Sequence, residues 1–146
     1  MKEELKIHIR LPENYHESFR KIGDNTSQNA IQAITGYIEL KRHTINELKG
    51  VFTPSEMKYL VNISNAAMFM PEYAASLSML IARVEDANEL EGMAEKWKVD
   101  FVVFKQKVER LTASQVYFIQ LECYNYWYGS DEDPGDLDKF VQTFQK

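Results

Sequence analysis

The chain has 146 residues, of which 45% are hydrophobic and 27% charged, and a net charge of −5. That length supports one or two small domains whose core needs no staples, and the composition excludes an intrinsically disordered chain. Cys123 is the single cysteine, which excludes an intrachain disulfide and fits a reducing, intracellular setting.

No window has the apolar length of a membrane span, and Met1-Lys2-Glu3-Glu4 lacks the basic-then-apolar layout of a signal peptide. A cytoplasmic protein without a membrane partner is expected. The negative charge is unevenly distributed. Met1 to His43 carries seven Lys and Arg against six Asp and Glu, which leaves ten against sixteen for the rest. Contact with DNA depends on the local surface offered to phosphate rather than on net charge, so acidity confined to the second part leaves a nucleic-acid role open to the first.

Leu5-Lys6-Ile7-His8-Ile9-Arg10-Leu11 alternates strictly, with Leu5, Ile7, Ile9 and Leu11 on one face and Lys6, His8 and Arg10 on the other. A period of two predicts a half-buried strand. Pro12 ends it, and Glu13 to Ile22 reads as a short helix stopped by Gly23. Asp24-Asn25-Thr26-Ser27 is turn and cap chemistry. Beyond it Ala30, Ile31, Ile34, Tyr37, Ile38, Ile45 and Leu48 recur at helical spacing, predicting a second helix that reaches Lys49.

A lone strand leaves both backbone edges unpaired and covers half a core. No second alternating segment exists in the sequence, so the expected partner is the same strand from another copy, paired antiparallel about a twofold axis. The dimer core would then comprise Ile7, Ile9 and Leu11 from the strand with Ile31, Ile34 and Ile38 from the helix. Lys6, His8 and Arg10 of both chains would project from the opposite face. A two-stranded ribbon fits the major groove of double-stranded DNA, where Arg and Lys pair with guanine O6 and N7.

The order of strand, Leu11-Pro12-Glu13, short helix, Gly23 turn, Thr26/Ser27 cap and Ala30-Ile31-x-x-Ile34-x-x-Tyr37-Ile38 resembles the ribbon-helix-helix family of Arc and MetJ type, over roughly residues 4 to 43. The resemblance implies a transcriptional regulator, a repressor of prokaryotic, plasmid or phage origin. It also implies that Lys6, His8 and Arg10 read bases and that the amides near Thr26, Ser27 and Gln28 hold a phosphate at the helix's amino end. Two departures stand out: Asp24 brings a negative charge to the turn, and Gly36 interrupts the second helix unless it permits close packing.

After Gly50 the pattern is helical throughout. Thr53-Pro54-Ser55-Glu56 and Thr112-Ala113-Ser114-Gln115 are capping boxes, each preceded by an apolar residue, Phe52 or Leu111, placed as a hydrophobic staple. Helices are expected over 54–69, 73–86, 88–97, 101–111 and 113–128, the last closed by Gly129, with a short one over 136–144. The fold class is mainly α, with a ribbon-helix-helix module at residues 1–49 and an acidic helical domain at 50–146, joined near residues 43–52. Leu77, Met79, Leu80, Ile81 and Val84, and Phe101, Val102, Phe104, Val108 and Leu111, are expected core residues.

The helical domain offers little chemistry. Leu90 to Leu111 loosely resembles a helix-turn-helix, but the turn lacks its glycine and the second helix opens with apolar Phe101-Val102-Val103-Phe104. A calcium loop starting at Asp131 would need Gly and Glu where Asp136 and Gln142 stand. No phosphate-cradling glycine run or paired histidines appear, so no metal, cofactor or enzymatic activity is expected. Tyr117, Phe118, Tyr124, Tyr126, Trp127 and Tyr128 crowd one helix and suit core or oligomer packing, or a protein partner. The competing function is therefore a dimeric interaction protein, an antitoxin or a phage-encoded inhibitor of host defence, acting through this domain.

Overall fold

A computed structural model describes residues 26–64, 76–129 and 135–145. The expected strand at residues 5–11 and short helix at 13–22 lie outside the described residues. Those that are described are mainly helical: α1 (Thr26–Leu48), α2 (Pro54–Ile63), α3 (Leu77–Glu91), α4 (Met93–Lys96), α5 (Phe101–Glu109), α6 (Ala113–Tyr128) and α7 (Leu137–Gln142). The chain divides into two compact units, Met1–Leu40 and Lys41–Lys146. The division falls within α1, upstream of the glycine at position 50, because Thr44 and Leu48 are buried and Ile45 packs against the core of the second unit.

Both capping boxes form. At α2 the Thr53 hydroxyl accepts from the Glu56 amide (3.2 Å) while the Glu56 carboxylate accepts from the Thr53 amide (2.8 Å). At α6 Thr112 and Gln115 make the same reciprocal pair, at 3.2 and 2.9 Å. The residues flanking each box, Phe52 with Met57 and Leu111 with Val116, are buried at the staple positions. Single side-chain caps start three other helices: Ser76 accepts from the Met79 amide, Asp100 from Val103, and Asp136 from Asp138 and Lys139.

Three expected boundaries are corrected. The helix begun at Pro54 ends at Ile63, short of residue 69, with the Ser64 hydroxyl on the Leu60 carbonyl (2.6 Å). No break occurs between residues 86 and 88. Ala87 continues the buried Leu80–Val84 face of α3, and the helix stops where Gly92 adopts left-handed geometry (φ 59°, ψ 29°). The segment expected as a helix over 88–97 is thus the end of α3 followed by the short α4.

The turn after α4 works without glycine. The Val99 amide bonds to the Ala94 carbonyl (2.8 Å) and the Lys98 amide to that of Glu95 (3.0 Å), a Schellman motif with Lys98 in the left-handed position (φ 55°). Its hydrophobic accompaniment is present, since Ala94 is buried in the core and Val99 packs against it.

Within the second unit α3 packs against α2, α4, α5 and α6, and α2 packs against α7. The core is aromatic at its centre: the Phe104 ring meets Tyr59 edge-on at 4.9 Å between centroids and Phe52 at 5.7 Å. The amide of Gly50 donates to the Phe144 carbonyl (2.9 Å), tying the α1–α2 turn to the residues after α7. Two core assignments are corrected: Met79 and Val102 are exposed, the latter 63%, because they lie off the Leu80–Val84–Ala87 and Phe104–Val108 faces that meet.

Candidate nucleic-acid interface

α1 begins at Thr26, so Thr26, Ser27 and Gln28 form its first turn. The amides at a helix start and the positive end of the helix dipole favour an anion. No acidic residue occupies that turn, and Gln28 is exposed. Lys6, His8 and Arg10, expected to read bases, and Ile7, Ile9 and Leu11, expected in the dimer core, lie outside the described residues, as does Asp24.

The three helical members of the expected dimer core are brought to one side of α1, since spacings of three and four residues return to roughly the same face at 3.6 residues per turn. In the single chain Ile31 is 65%, Ile34 37% and Ile38 55% exposed. A row of β-branched aliphatic side chains facing water contrasts with Leu48 at the far end of the same helix, which is fully buried. Gly36 is within the helix, and a methyl group added there would meet nothing within 4 Å among the described residues, so no close contact among them accounts for it.

Several charged side chains of the second unit pair with one another. Lys107 of α5 reaches the buried Glu56 carboxylate at 2.7 Å, adding an ion pair to the α2 capping box. Lys105 pairs with Glu85 (2.5 Å) and Lys41 with Glu122 (2.5 Å). The acidic run from Asp131 is only partly described, but two of its members have structural partners: Asp136 caps α7 and Asp138 pairs with Lys58.

The aromatic residues of α6 divide between packing and surface. The Trp127 indole donates to the Val61 carbonyl of α2 (2.9 Å), and the Tyr126 hydroxyl donates to the Gly135 carbonyl (2.9 Å) while its ring lies 5.0 Å from that of Phe140. Burial and the Asp136 charge raise the Tyr126 hydroxyl above the ordinary phenol range. Phe118 is buried, whereas Tyr128 is exposed. Cys123 is fully buried, and burial pushes its thiol up to about 12, against a smaller opposing effect of a hydrogen bond with Ser64. A thiol held protonated in this way is a poor nucleophile.

The buried and paired groups were partly signalled by sequence. The capping-box spacing marks Glu56, but its ion pair with Lys107 joins residues far apart in the chain and leaves no local pattern. No family model matches the chain, and no curated protein or solved structure matches it either.

Proposed function

We propose that this chain is a sequence-specific DNA-binding transcriptional regulator, a repressor that reads the major groove as a ribbon-helix-helix homodimer. The observation that carries the reading is the exposed row of Ile31, Ile34 and Ile38 on α1. Apolar side chains at that spacing are stabilised by withdrawal from water, and a second copy related by a twofold axis supplies the same face in return. The alternating sequence Leu5 to Leu11 asks for a partner strand from the same source. Lys6, His8 and Arg10 would then meet base edges, and the amino end of α1, free of carboxylates in its first turn, would seat a phosphate on each side. The second unit, which holds most of the acidic residues, serves oligomer or effector contacts in this reading.

The test is binding to selected genomic fragments by the wild-type chain and by the Lys6→Ala/His8→Ala/Arg10→Ala variant. The wild type is expected to bind with an affinity that falls steeply with salt, because phosphate contacts release counterions. The variant is expected to lose specific binding while remaining a folded dimer, since the inward-facing alternates are untouched. Equal affinity of the two would overturn the reading.

A second reading is favoured by the excess of acidic residues after His43: a dimeric interaction protein whose helical unit engages another protein. Absence of DNA binding at low salt, with the dimer intact, would select it.

A further inference from the structure

We draw no further inference here: the strongest candidate, the partly exposed stripe of Tyr117, Leu121, Tyr124 and Tyr128 along α6, is an apolar helix face, and nothing in the structure shows what covers it.

Discussion

The indole nitrogen of Trp127 donates to the backbone carbonyl of Val61 at 2.9 Å, and so supplies from α6 a partner for a carbonyl in the last turn of α2. Arg83 of α3 does the same for Ile63 through its Nε, also at 2.9 Å. Where many helices end on a glycine, α2 ends with two of its last carbonyls accepting from side chains of two other helices. Trp127→Phe keeps most of the packing but strands a part-buried acceptor, and is expected to cost about 1–3 kcal/mol. Trp97 provides the control. Its indole nitrogen is buried with no acceptor among the described residues, so Trp97→Phe removes no hydrogen bond and should cost less. Urea unfolding of the two variants checks the order.

Lys98 holds a left-handed conformation (φ 55°) that costs a residue with a β-carbon roughly 1–2 kcal/mol. Glycine adopts it freely but loses more chain entropy on folding. The expected balance for Lys98→Gly is a gain of about 0.5–1 kcal/mol, read as a raised urea midpoint with an unchanged slope. A loss of stability would mean that the Lys98 side chain contributes more than its backbone costs.

The same turn illustrates where sequence is informative. The starts of α2 and α6 are legible because a capping box and its staple are local, encoded within six residues from Phe52 to Met57 and from Leu111 to Val116. Ends are harder. The end of α3 is marked by Gly92, but at the end of α2 the carbonyls are met by Arg83 and Trp127 from distant helices and the turn after α4 carries a lysine, none of which is a local stop signal. Periodicity located the faces of α3 and α5 yet gave Met79 and Val102 to the core, because a run of apolar residues hides which face is inward until the packed neighbour is known. For the candidate interface, the Ile31–Ile34–Ile38 row was legible at helical spacing; its exposure depends on which neighbours the single chain lacks.

Cys123 supplies a prediction on pH. Below about pH 9 the thiol is protonated in both folded and unfolded chains and stability does not depend on it. Between its ordinary value of 9.0 and about 12 the unfolded chain releases the proton and the folded chain keeps it, so the unfolded state binds fewer protons and stability falls as pH rises. Tyr59, raised from 10.0 to about 12 mainly by burial, adds to the same loss above pH 10. The expected outcomes are a urea midpoint that declines from about pH 9, more steeply above 10, and a native thiol that a disulfide reagent fails to label at pH 8 until the chain is unfolded.

For the proposed dimer, withdrawing an isoleucine from water is worth about 1.5–3 kcal/mol, and a symmetric interface loses each one twice. Ile38→Ala is therefore expected to weaken self-association on the order of 100-fold, seen as a shift from dimer to monomer in sedimentation at micromolar concentration. The substitution falls in the first unit and outside the core of the second, so the helical signal of the second unit should persist. A wild-type chain that is monomeric at high concentration would remove the basis for the dimer.

Gly36 can report which face of α1 a second copy meets in the proposed dimer. At roughly 100° per residue it sits about 140–160° around the helix from Ile31, Ile34 and Ile38, and nothing among the described residues lies within 4 Å of the position a β-carbon would take. If the isoleucine row is the seam, Gly36 faces away from it in the dimer as well. Gly36→Ala then relieves a helix-interior glycine and should raise stability by about 0.5–1 kcal/mol with dimer affinity unchanged. If the dimer instead forms through the opposite side of α1, which carries Ala33 and the exposed Leu40, the added methyl enters the contact and self-association falls while the monomer's helix still strengthens. Thermal unfolding and sedimentation of the one variant therefore separate the two arrangements, and weakened association would move the interface off Ile31, Ile34 and Ile38.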